Sequence, residues 1–213
     1  MNQPTADLPR AHQTMLLSHR AMVRDLGRSA DAARTLARTG DPTRAAALRT
    51  YTSRLTALIE HHHQGEDDFL WPALRERDAD PAALDLLTAE HAELNEALHT
   101  WGGIAHRLGE DDSAPAELAE RAGPLRELLA THAGDEEREL LDRLAPALDA
   151  RIWKGFETHM RKTAPGWTLR FMPPWLASVA RPEEKGGIPA PPLARLFRGS
   201  LEKNQRAAFG EDY

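Results

Sequence analysis

Cysteine is absent from this 213-residue chain. That excludes disulfides, thiolate-bound metals and iron–sulfur clusters, so any metal must be held by nitrogen and oxygen donors. No run approaches 18 uninterrupted apolar residues, so no segment reads as a membrane-spanning helix. The opening residues MNQPTADLPRAHQ lack an apolar h-region; no secretory signal is expected, and a cytoplasmic location is. Positive charge is not in excess. The formal net charge is −6, and basic residues interleave with acidic ones as on a solvated helix face, so no nucleic-acid partner is expected. β-branched residues are few up to about residue 162, where Ala, Leu, Arg and Glu dominate. That composition predicts helices rather than strands.

Punctuation divides the helical region. Thr39-Gly40-Asp41-Pro42 closes one helix and opens another, with Asp41 as N-cap and Pro42 at the first helical position. Asp80-Pro81 repeats the device, and Gly109 to Pro115 makes a third break. The predicted helices cover about 8–38, 42–77, 81–108 and 115–147, with a shorter fifth over 149–162. Pro72 falls inside the second and is expected to bend or end it there. Gly123-Pro124 either kinks the fourth or starts it. Short links between long helices predict an all-α, up-down-up-down four-helix bundle over residues 8–162. Residues 163–213 form a separate C-terminal arm. Seven of the fifteen prolines lie from Pro165 onward. The arm also carries Trp167, Phe171, Trp175 and Phe197, too much large apolar surface for a disordered tail. Packing on the bundle is the expectation, and a dimerisation or partner-docking surface is the alternative.

Within these helices, histidines replace leucines at core spacing. The stripes run Leu16, His19, Val23, Leu26; Leu55, Ile59, His62, Glu66, Phe69; Leu84, Leu87, His91, Leu94, Leu98; and Leu125, Leu129, His132, Glu136, Leu140, Leu144. Steps of three and four hold each set on one face. Four imidazoles and two carboxylates therefore point into a core, where each unpaired group costs several kcal/mol, roughly, to bury. A bound metal is the simplest compensation. His62–Glu66 and His132–Glu136 each stack a histidine and a carboxylate one turn apart, and a carboxylate can bridge two cations. Donors without sulfur suit iron, manganese or zinc, and a carboxylate-bridged pair of ions points to iron.

Four segments in order, HRAMVRDL from His19, HHHQGEDDFLWPAL at 61–74, Glu90-His91 and HAGDEERELL from His132, resemble the hemerythrin family and more closely the bacterial hemerythrin-like HHE cation-binding domains. The resemblance spans about residues 10–150. It implies a four-helix bundle around two non-haem iron ions with an oxo or hydroxo bridge, ligated by His19, His62, Glu66, His91, His132 and Glu136, the glutamates bridging. Oxygen carriers of that family place a second histidine four after the third-helix ligand. Here that position is Asn95, a candidate to hydrogen-bond a bound ligand on an iron left partly open. In the carriers the last carboxylate falls where Glu137 stands, but the stripe favours Glu136.

Other candidates stand behind these. His61 and His63 flank His62, about 100° round the helix on either side, and read as supporting or partly exposed groups. His12 reads as surface, His99, His106 and His159 match no stripe, and Asp67 and Asp68 read as solvated or supporting. Trp71 reads as core. A ferritin-like di-iron pattern, Glu60–His63 with Glu96–His99, would leave His19, His62 and His132 buried without a role. The expected function is binding of O2, peroxide or nitric oxide, behind an apolar lining from Ile59, Phe69, Leu94 and Leu98. Two alternatives stand beside it: a catalase-like, peroxidase-like or oxygenase di-iron oxidoreductase, and an iron or oxygen sensor whose partner docks on the arm.

Overall fold

The computed structural model describes residues 8–144 and 147–211. Among these residues every regular element is helical: α1 (Arg10–Thr39), α2 (Pro42–Gly65), a π-helical turn (Glu66–Leu70), α3 (Trp71–Arg75), α4 (Pro81–His106), α5 (Ala114–Asp142), α6 (Ala150–Thr163), α7 (Thr168–Ala177), a 3-10 turn (Pro182–Gly187) and α8 (Pro191–Phe209). The caps follow the sequence signals. Gly40, at φ 62°, ends α1 by donating its N–H to the Leu36 carbonyl. The Asp41 carboxylate accepts from the backbone of Thr43 and Arg44, and Asp80 accepts from Ala82.

Helices α1, α2, α4 and α5 form a closed ring of neighbours, α1 against α2 and α5, and α4 against α2 and α5. Their apolar residues make two cores. The larger contains Met22, Ile59, Leu94 and Leu129; the smaller contains Met15, Leu70, Leu87 and Leu140. Along α1 and α4 the chain passes from the smaller core to the larger, and along α5, and from α2 into the π-helical turn, it passes back.

The second helix is not continuous over 42–77 as its composition predicts. The α-helical pattern gives way at Glu66 to a π turn, and α3 starts afresh with Pro72 near its beginning. Proline cannot donate to the carbonyl four residues earlier and its ring crowds that carbonyl, so one extra residue is accommodated in a wider turn. The register shifts accordingly. Leu70, not Phe69, continues the buried stripe, and Phe69 turns to α6, where its ring lies 5.6 Å from His159. Helix α5 runs unbroken through Pro124, which therefore does not start it. The fourth predicted helix ends at Asp142 as an α-helix, and the rest of its expected span includes residues 145–146, outside the described residues.

The proline-rich segment is itself largely helical. Helices α7 and α8 pack on each other, and α8 lies on α2 and α1. Between them the 3-10 turn crosses α1: the Thr14 hydroxyl donates to the Gly187 carbonyl at 2.6 Å and Arg10 to Ile188 at 3.3 Å. A Cβ on Gly187 would stand 2.7 Å from that of Gln13, so the approach requires a residue without one. This strap together with α7 and α8 covers the outer side of α1, leaving Ser18, Ala21, Asp25 and Ala32 as well as His19 and Leu26 out of solvent. No described helix is long and apolar enough to cross a membrane.

Candidate metal centre

Between the two cores lies a polar belt. His19, His62, His63, Glu66, His91, His132 and Glu136 are each at most 5% exposed. Their donor atoms fall into two sets, each within 4.8 Å: His19, His62, Glu66 and Glu136, and His63, His91 and His132. The carboxylates face both. Glu66 Oε1 is 3.2 Å from His62 Nε2, while its Oε2 is 3.5 Å from His91 Nε2. Glu136 Oε2 is 3.2 Å from His19 Nε2 and 3.5 Å from His132 Nε2.

A ring of outer carboxylates orients the imidazoles. His19 Nδ1 donates to Glu137 at 3.1 Å, His91 Nδ1 to Asp67 at 2.9 Å and His132 Nδ1 to Glu90 at 2.9 Å. With those protons on Nδ1, a neutral ring carries a bare lone pair on Nε2. His91 and His132 nevertheless bring their Nε2 atoms to 3.2 Å from each other. Two acceptors cannot bond each other. Both oxygens of Glu66 and of Glu136, and both nitrogens of His63, are buried with no hydrogen bond. The belt is thus an excess of acceptors with too few protons, and a cation satisfies it.

The ionisation of the side chains reflects the same strain. Burial, reinforced by the neighbouring imidazoles, pushes His62 and His63 well below the ordinary histidine range. Burial takes His132 down to about 4. Glu66 is driven well above the carboxylate range by burial and by Glu136 beside it. His19 goes the other way: burial opposes its charge, but Glu136 and Glu137 outweigh it and keep the ring protonated. In return His19 holds Glu136 ionised against burial. Divalent cations would replace these few trapped protons, so ligation and deprotonation go together.

The structure brings together all six residues expected as ligands and adds His63. Its ring is fully buried and stacks on His91 at 4.5 Å, contrary to a partly exposed reading. Two residues 100° apart on α2 can straddle the inward direction, since a bundle helix is covered over a wide arc. The signal was present in the triplet His61-His62-His63, which placed one histidine on each side of the stripe residue. His61 lies on the outer side, half-buried, 2.9 Å from the Thr163 hydroxyl. Asn95 does not face the site: it is exposed. The buried stripe of α4 runs through His91, Leu94, Leu98 and Trp101, and Asn95 falls about 60° round from Leu98. Glu136 is fully buried in the belt, whereas Glu137 stands behind His19, 37% exposed.

Outside the belt, His12 is buried rather than on the surface, stacked on Trp153 with ring centres 5.0 Å apart, because α6 covers that end of α1. His99 and His106 are exposed, and Trp71 is core. Asp67 supports His91, and Asp68 is exposed. Glu60, Glu96 and His99 are all exposed, which removes the ferritin-like arrangement.

The family model for the hemerythrin HHE cation-binding domain matches residues 10–144. No curated protein and no solved structure matches the chain. The matched span covers well over half of the sequence and contains every residue of the buried belt, and the chain belongs to the hemerythrin HHE cation-binding family.

Proposed function

We propose that this chain is a non-haem di-iron protein that binds or reacts with O2, peroxide or nitric oxide, built as an up-down-up-down four-helix bundle. The observation that carries the reading is the belt's acceptor surplus: two adjoining sets of buried imidazole and carboxylate donors with two carboxylates facing both. The reversal of chain direction between the two cores, helix by helix, supports the bundle topology. Five imidazoles and two bridging-competent carboxylates suit a pair of borderline cations, and iron fits that donor set without sulfur. His63 supplies the imidazole that Asn95 does not.

Iron held here would supply electron transfer to and from a small oxygen or nitrogen species. The protein's part is charge, aim and dryness. Glu66 and Glu136 offset cationic charge in a site with no bulk water. Glu137, Asp67 and Glu90 hold Nδ1 protons and aim Nε2 of His19, His91 and His132 inward. Glu90 is pushed up to about 7 by burial and by Asp135, so it is placed to hold or release a proton beside His132 near neutral pH. Ile59, Leu94 and Leu129, about one turn from His62, His91 and His132, close the site on the larger core. A cytoplasmic location and self-association through the C-terminal segment belong to the same reading.

Elemental analysis and Mössbauer spectroscopy on native protein test it. Two irons per chain are expected, falling in His63→Ala as well as in His62→Ala. Stoichiometric zinc from iron-replete cells overturns the proposal. Stopped-flow spectra then separate binder from enzyme: a long-lived visible band after mixing reduced protein with O2 marks a binder. Rapid hydrogen peroxide turnover, lost in His62→Ala, marks an oxidoreductase.

A further inference from the structure

Between α2, α7 and α8 lies a cavity of about 510 Å³. Its wall on α2 is Arg54, eight residues and roughly 12 Å along the helix before His62, so the cavity is separate from the metal belt. Arg170 and Phe171 of α7, Trp167 just before it, and Ser200 and Asn204 of α8 complete the parts that matter.

Two features set this cavity apart. Both cations are held over ring faces, Arg54 at 5.7 Å from the Trp167 centroid and Arg170 at 5.7 Å from that of Phe197. Neither has a carboxylate within 4.0 Å among the described residues, and no carboxylate lines the cavity there. Some arginines elsewhere do pair, Arg49 with Glu110, Arg75 with Asp85 and Arg143 with Asp80; what marks Arg54 and Arg170 is that both line one cavity and both lie over rings. The charge balance of the chain points the same way. Residues 151–213 hold eleven Lys and Arg against six Asp and Glu, while residues 1–150 hold sixteen against twenty-seven. Ser200 and Asn204 add a hydroxyl and an amide that make no side-chain hydrogen bond among the described residues.

We propose that this cavity binds a small organic anion, a carboxylate or phosphate ester carried on a flat apolar body. Guanidinium forks match such groups bidentately, and the ring faces hold both forks with no competing carboxylate within 4.0 Å among the described residues. Trp167, Phe171 and Leu201 supply an apolar wall that a bare inorganic ion would leave uncovered. The volume lies in the range of small-molecule sites.

Calorimetry and tryptophan fluorescence on the metal-loaded full chain test this with four probes: benzoate, adenosine monophosphate, adenosine and inorganic phosphate. The expected result is a dissociation constant below about 1 mM for benzoate or the nucleotide. Which of the two binds tells a carboxylate from a phosphate source. Arg54→Gln/Arg170→Gln should weaken binding roughly tenfold or more, with helicity and metal content unchanged. Arg170→Gln alone, at an exposed position, gives the same direction should the double variant fold poorly. Failure of both benzoate and the nucleotide to bind, adenosine or inorganic phosphate binding as tightly as the anion that does bind, or undiminished binding in the variants overturns the proposal. Metal content is read separately, so failure here is distinct from failure of the di-iron reading.

Discussion

Two buried polar clusters share helix α1, centred on residues six apart, and they are built on opposite principles. Around Asp25, fully buried, every acceptor has a donor. Oδ2 accepts from the Tyr51 hydroxyl at 2.6 Å and the Trp175 indole at 2.7 Å, while Oδ1 accepts from Arg24 at 2.7 Å and Arg28 at 3.4 Å. Gln205 donates to the Tyr51 oxygen at 3.2 Å. Burial and the adjacent carboxylate push the Tyr51 hydroxyl well above its usual range, so it stays a donor. Around the metal belt that includes His19 the balance is reversed: apart from the His19–Glu136 contact at 3.2 Å, acceptors face acceptors, as His91 and His132 do, and both Glu66 oxygens go unbonded. A satisfied cluster fixes one arrangement of the chain. It ties α7 and α8 to the bundle through Trp175 and Gln205. A cluster left short of positive charge is costly to fold unless a cation joins it.

The largest effect should come from removing that cation. Chelation should lower the melting temperature by roughly 10 °C or more, because binding free energy is folding free energy at such a site. Glu66→Gln sharpens the contrast: it should lose metal, yet as apo protein melt no lower than apo wild type, since burial and Glu136 already favour the neutral form of Glu66 there and the amide mimics it. Identical melts for apo and holo wild type would break the comparison at its stronger end.

Asp25→Ala comes next, with the opposite signature. It leaves the Tyr51 hydroxyl, the Trp175 indole and two guanidiniums without their shared acceptor, a loss of about 3–5 kcal/mol. Denaturant unfolding of the metal-loaded protein should show that loss while metal content stays at the wild-type value. A fall in metal content matching the fall in stability would show that the two clusters are one unit.

These clusters were not equally legible in the sequence. The belt lies on the helical repeat, so His19, His62, Glu66, His91, His132 and Glu136 could be read from spacing alone. His63 could not, because the side of α2 on which a residue is covered depends on where its neighbours sit. Asn95 failed for the same reason in reverse. The Asp25 cluster left no local trace: its indole comes from 150 residues away. The π turn was foreshadowed by Pro72 as a break, but the spacing of the stripe could not tell that Leu70 would replace Phe69. In the arm, aromatic content indicated packing, while Pro173 and Pro174 inside α7 concealed a helix whose burial outweighs the hydrogen bonds they remove.

A third contact tests whether the strap belongs with the satisfied cluster or with the metal belt. Arg20 directly follows His19 and pairs through both terminal nitrogens with Glu184 at 2.5 and 2.8 Å. The Glu184 carboxylate is 2% exposed and also accepts from the Arg181 backbone at 2.8 Å. Arg20 and that backbone N–H, acting against burial, hold Glu184 down to about 2. A carboxyl whose folded pKa lies below its unfolded value stabilises the protein above the unfolded value, about 4.3, and loses that contribution as pH falls toward 2. Because Arg20 is 35% exposed, solvent screens the pair and the contribution is about 1–2 kcal/mol. Glu184→Gln should therefore be less stable than wild type by that amount at pH 7 and at pH 5, with the gap falling to about half by pH 3. The comparison is made on metal-free protein of both kinds, so that titration of the belt cancels. The metal-loaded variant should keep its full metal content, since neither residue contributes a donor. A gap that stays constant from pH 7 to pH 3 would mean that Glu184 acts through packing rather than charge. Lost metal would mean that the strap sets the position of His19.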